Sequence, residues 1–145
     1  MKKFKFRLQS VLRVRRLQED IARARLLNAN AAARESERVV DARVARYTTM
    51  DRPNGVQHEP DFALALFRLD KAASAVDDAN ELRTQARATV AERHMEWSGA
   101  SMRVAALERL EERQRAEHKI EAQHDEDRLT DDLVSSRYAR EDDLR

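Results

Sequence analysis

Asp51-Arg52-Pro53-Asn54-Gly55-Val56-Gln57-His58-Glu59-Pro60-Asp61 is the stretch where turn-forming residues gather. It holds both prolines and one of the two glycines of the 145-residue chain. Pro53 cannot continue a helix, because it lacks the N–H and its ring clashes with the preceding turn. Asn54-Gly55 suits positive φ. Pro60 fits the first turn of a new helix, and Asp61 sits well against the positive end of its dipole. The segment therefore predicts a helix over about 5–51, a loop over about 52–60 and a second helix over about 61–138. At about 1.5 Å per residue these helices would measure ~70 Å and ~115 Å.

Composition agrees with this outline. Aromatic residues make up 5% of the chain and charged residues 38%, too lean a ratio to fill a thick globular core. Yet 41% of the chain is hydrophobic, much of it Ala, which is too apolar for outright disorder. Ala, Arg, Glu, Leu and Gln are strong helix formers. Such a chain buries a narrow stripe on long helices and solvates the rest. The expected fold is all-α: a long antiparallel two-helix coiled coil, a helical hairpin forming a single domain over residues 1–145, with an overhanging C-terminal helix.

Periodicity places the expected seam. In the first helix, Phe4, Leu8, Val11, Leu12, Val14, Leu17, Ile21, Ala24 and Leu27 recur at mostly three- and four-residue steps. In the second, Phe62, Leu66, Leu69, Ala73 and Val76 follow 4-3-4-3 spacing. The stripe then slips to Ala79, Leu82, Ala86 and Val90, a stutter-like drift. From Val90, heptad spacing reaches His94, Trp97, Ser101 and Val104. A loop centred near residue 56 predicts facing positions whose numbers add to roughly 112, so Leu8 should face Val104. The second helix should then outrun the first from about residue 112.

Charge is unevenly spread. Residues 1–25 carry nine basic and two acidic groups, a balance of +7. Residues 121–145 carry four basic and nine acidic groups, a balance of −5. The lack of Cys excludes disulfides, thiolate catalysis and Cys-based zinc sites. No stretch approaches the ~20 apolar residues of a membrane span. The start is charged like a signal peptide, but Gln9, Ser10, Arg13, Arg15 and Arg16 interrupt the apolar run that should follow. A cytoplasmic location is expected.

Nothing in the residues points to catalysis. Glu121 and His124 form one Glu-x-x-His step. Di-metal bundles need a second such motif and two further inward Glu residues, and the solvated-pair reading is preferred. His58 falls in the loop, and His118 has no evident ligand set. There is no Gly-rich phosphate loop and no nucleophile–base arrangement. The predicted protein is therefore not an enzyme, with no cofactor and no metal. The basic start would attract phosphates or anionic lipid, but aromatics are not interleaved as stacking platforms. No nucleic-acid partner is expected. Trp97, beside Ser98-Gly99, reads as a seam anchor at a weak point of the helix.

One stretch carries a family likeness. Phe4-Lys5-Phe6-Arg7-Leu8-Gln9-Ser10-Val11-Leu12-Arg13-Val14-Arg15, continuing into Leu17-Gln18-Glu19-Asp20-Ile21-Ala22, resembles the opening of the flagellar export protein family FliJ. Ala106-Leu107-Glu108-Arg109-Leu110-Glu111-Glu112-Arg113 is similar to a Leu-Glu-x-Leu-x-Glu-Arg pattern late in that family, though other coiled coils share such a pattern. The resemblance implies a soluble component of the bacterial flagellar type III export apparatus, peripheral at the inner face of the cell membrane. It would be a coiled-coil stalk whose terminal end enters the ring of the hexameric export ATPase FliI. The export gate protein FlhA would be a second partner, bound through the loop-side half, and a role as a general export chaperone follows.

From the charge distribution, Arg7, Arg13, Arg15 and Arg16 are expected to face the ATPase. Val40, Val44, Tyr47, Phe62 and Leu66 are expected to form or support the gate-facing patch. Two alternatives stay open: the equivalent stalk of an injectisome, YscO-like, and a coiled-coil arm that binds nucleic acid.

Overall fold

The computed structural model describes residues 4–53 and 58–142, with residues 132–142 as backbone alone. The fold is all-α. Helix α1 spans Gln9–Thr49 and helix α2 spans Glu59–Asp142. The described residues contain no strand.

The helix ends follow local chemistry. The Phe62 N–H donates to the His58 carbonyl at 3.0 Å, so α2 starts at Glu59, with Pro60 inside its first turn and Glu59 and Asp61 at the positive end of its dipole. The α1 terminus is closed by hydroxyls: Thr48 and Thr49 both donate to the Ala45 carbonyl at 2.9 Å. Arg46 in the last turn complements the negative end of the dipole. Asn54-Gly55, expected to take positive φ, lies outside the described residues. Helix α1 starts later than the expected residue 5. Phe6 is instead buried against α2, and the Gln9 N–H reaches back to its carbonyl at 3.3 Å.

Two units of packed helix make up the chain. One joins the segment ending at Leu17 to the segment beginning at Ser101; the other holds Gln18–Ala100. In the first unit Phe6, Leu12 and Val104 form the core, and Phe4, Leu107 and Leu110 pack against it. Phe4 is held further by the His118 ring, edge-on at 5.7 Å, and by the Arg115 guanidinium, 5.6 Å from its ring centroid. These contacts carry the pairing past the expected residue 112, and the overhang starts beyond His118. It continues as helix to Asp142.

In the second unit the seam is built mainly from small side chains. Ala22, Val40, Ala79 and Ala100 are its buried apolar residues. Direction is antiparallel in both units. Arg16 bonds Glu108 in the first, and in the second Glu37 bonds Arg87 while Arg43 reaches the Ala75 carbonyl. The position numbers of the two ion pairs add to 124 and those of Arg43 and Ala75 to 118, not to 112. In the first core the register stays close to the expected one: Val104 packs with Phe6 and Leu12, whose numbers add with it to 110 and 116, while Leu8 between them is exposed.

The seam itself differs from the apolar stripe read in the sequence. Along α1 the covered positions include Leu12, Arg15, Glu19, Ala22, Leu26, Ala29, Ala33, Ser36 and Val40, in alternating steps of three and four. Leu8, Val11, Val14, Leu17, Ile21 and Leu27 are exposed, Leu17 to 61%. Along α2 in the second unit the covered set includes Ala65, Leu69, Ala72, Val76, Ala79, Arg83, Ala86 and Val90, continuing through Arg93, Trp97 and Ala100. That is one unbroken heptad run, with no stutter. Leu82 is 57% exposed, and Arg83 holds the seam position instead. His94 is exposed too, with Arg93 on the seam. An arginine stem can lie along a helix interface as an apolar side chain does, and both arginines are half-buried there.

Candidate interaction surfaces

The exposed side of α1 is the first surface. In the first unit Val11, Val14 and Leu17 stand off the seam, with Val14 53% exposed. A helix apolar on more than one side satisfies one side in its own hairpin and leaves the other to water. Arg7, just before α1, and Arg13, between Val11 and Val14 in sequence, are exposed in the same stretch. Arg16 is also on the surface, but its Nη2 and Nε donate to one Glu108 carboxylate oxygen at 2.7 and 3.2 Å. Arg15 occupies a seam position and is half-buried. The four arginines expected to face the ATPase are thus split. Arg7 and Arg13 point outward, Arg16 braces the helix pair, and Arg15 belongs to the packing.

The residues expected at the gate all belong to the second unit but lie at different depths. Val40 is buried and Tyr47 half-buried on the seam. Val44, Phe62 and Leu66 are exposed. The first two pack within the helix pair, and the last three are turned to solvent.

Between α1 and α2 in this unit lies a cleft that sequence reasoning missed. Arg43, Arg46 and Met50 line it from α1 and the segment just after it; Phe67, Arg68, Lys71, Ala72 and Ala75 line it from α2. It encloses about 530 Å³. Four cations and one exposed aromatic ring meet here, and no carboxylate is among the lining residues. Lys71 Nζ stands 5.5 Å from the Phe67 ring centroid, a distance at which the cation is drawn to the ring face. The Arg43 guanidinium donates to the Ala75 carbonyl at 3.2 Å. Phe67, Arg68 and Lys71 are consecutive-turn neighbours, which is a readable signal. Arg43 and Arg46 join them from α1, and periodicity, which follows apolar residues, did not single them out.

Further along the same unit an ion pair clamps the helices. Arg87 Nη2 and Nε donate to the Glu37 Oε1 at 2.7 and 3.3 Å. The hydrogen bond from Arg87, then its charge, hold the Glu37 carboxyl below its ordinary value, with a smaller contribution from the Arg83 charge. Two seam side chains carry a buried nitrogen without a hydrogen-bond partner, Arg83 Nε and Trp97 Nε1. The Trp97 ring meets the His94 ring edge-on at 5.9 Å.

The Glu121–His124 pair lies in a shallow groove of α2 with Asp125 and Arg128. All four come from one helix face. Among the described residues no group of three or more His, Asp or Glu is placed to hold a metal ion. Nor is any helix among them long and apolar enough to cross a membrane. No protein-family model, no curated protein and no solved structure matches this chain.

Proposed function

We propose that this chain is a non-enzymatic coiled-coil stalk of the bacterial flagellar type III export apparatus. It binds the hexameric export ATPase through its terminal end and the export gate through its loop-side half, and assists the export of flagellar subunits. The observation that carries the reading is the exposure of Val11, Val14 and Leu17 together with Arg7 and Arg13 in one stretch near the start of α1. It lies within the stretch that resembles the opening of the FliJ family. An apolar stripe with a basic rim suits an interface in which apolar contact gives affinity and charge gives orientation and on-rate. The buried seam holds the two helices, so the outer stripe is free to engage a second protein.

ATP hydrolysis by the export ATPase, measured with and without this chain alongside ring assembly, tests the reading. Stimulation coupled to hexamer formation is expected. Reversing Arg7 and Arg13 together should lower it while leaving helicity intact, since both are exposed. Unchanged stimulation by that variant would remove the basic rim from the account.

A further inference from the structure

We infer that the cleft between α1 and α2 in the second unit is a docking site for an acidic peptide segment carrying a large apolar side chain. The inference rests on the chemistry of the cleft and stands apart from the stalk reading. Arg43, Arg46, Arg68 and Lys71 converge from two helices, with no carboxylate among the lining residues to balance them. Like charges gathered this way repel one another, and an anionic partner relieves that repulsion. Among the described residues, neither Arg46 nor Arg68 has an ion-pair partner in the structure.

The second half of the recognition is apolar. Phe67 is 57% exposed at the cleft, beside Met50 and the small side chains of Ala72 and Ala75. A largely exposed aromatic ring among the cations of a cleft is the arrangement of an interface anchor. A simple anion would satisfy the cations and leave that ring solvated. Carboxylates with an apolar side chain between them satisfy both. The cleft is concave and bounded by two helices, so a bilayer surface cannot enter it. A nucleic-acid strand would need a succession of stacking platforms, and the lining offers one aromatic ring.

The test uses the full chain and a dye-labelled synthetic peptide that alternates Glu with Leu and Phe, followed by fluorescence anisotropy. Three controls run beside it: the same peptide with Ser for Leu and Phe, phosphatidylserine vesicles, and an oligo-dT strand. The variants are Arg46→Glu with Arg68→Glu, and Phe67→Ser. All three positions are exposed, and circular dichroism with a melting curve checks that each variant folds.

The acidic apolar peptide should bind, with affinity falling as salt rises. The double charge reversal should weaken it by about tenfold or more, and Phe67→Ser by about fivefold or more. The Ser-containing peptide should bind much more weakly. The inference is overturned if the acidic apolar peptide does not bind or if the variants bind it as well as the unaltered chain. It is equally overturned if the Ser-containing peptide binds as tightly, or if vesicles or oligo-dT bind through these residues in its place.

Discussion

The two units solve the same problem with different side chains. In the unit near the termini, Phe6, Leu12 and Val104 are buried and Phe4, Leu107 and Leu110 pack around them. In the unit near the loop, three of the four buried apolar residues are alanines: Ala22, Ala79 and Ala100. Large side chains release more free energy on burial, at roughly 25 cal/mol per Å². Alanines release less but let two backbones approach, and they leave space for long polar stems at the rim. The second unit also carries Arg83 and Arg93 on the seam and the Arg87–Glu37 clamp. Stability should therefore depend on single residues near the termini and on close fit near the loop.

The largest effect expected from this contrast is at Leu12, which is fully buried. Leu12→Ala should destabilise by about 2–4 kcal/mol through lost burial and the cavity left behind, read by urea denaturation. The alanine seam should fail in the opposite sense. Ala79→Leu adds volume where the helices leave none and should destabilise by about 1–3 kcal/mol, visible as a lowered melting temperature. A neutral Ala79→Leu would break the comparison, because it would mean that the second unit is loosely packed.

The ion-pair clamp should give a smaller effect with a definite pH dependence. The folded pKa of Glu37 lies below its unfolded value because of Arg87. Its stabilising share is therefore complete above the ordinary carboxylate range and disappears as pH falls through the lowered folded value. In thermal melts at decreasing pH, Glu37→Gln should lose this part of the acid sensitivity, and added salt should diminish the difference from the unaltered chain. The smallest stability effect belongs to the outer stripe. Leu17→Ala should change stability by no more than about 0.5 kcal/mol, because that side chain is largely in water already.

The hairpin was legible from a few residues. Pro53, Pro60 and Asp61 marked the break, and the near-absence of helix breakers elsewhere marked the two helices. The fold class and the antiparallel pairing follow from those residues, and the observed α2 start at Glu59 agrees within two residues. Of the stripe expected along the first helix, Leu12 is buried on the seam and Phe4 packs against the same core; the rest of the seam was not legible, for a physical reason. Val11, Val14, Leu17 and Ile21 are more apolar than Arg15, Glu19 and Ala22, which occupy the seam. Hydrophobic periodicity selects the stronger stripe, and on this helix the stronger stripe faces outward. The stutter in α2 had the same origin: Leu82 drew the reading away from Arg83, although the covered positions keep an unbroken heptad.

The candidate surfaces were legible in part. The basic start marked Arg7 and Arg13, which are exposed, but charge alone did not separate them from Arg15 on the seam or Arg16 in its ion pair with Glu108. The cleft was hidden because its cations lie on two helices and hydrophobic periodicity does not follow charged residues. A residue's type was readable in each case; its partner across the seam was not.

The central claim is that the outer stripe of α1 serves a partner rather than the hairpin. Its most direct test is ATP hydrolysis by the hexameric export ATPase with the unaltered chain and with Val14→Asp/Leu17→Asp, after matched circular dichroism and melting curves. We predict that the unaltered chain stimulates hydrolysis and that the variant keeps its helicity and melting temperature but loses most of the stimulation. Equal stimulation by both chains, or none by the unaltered chain, would contradict the account.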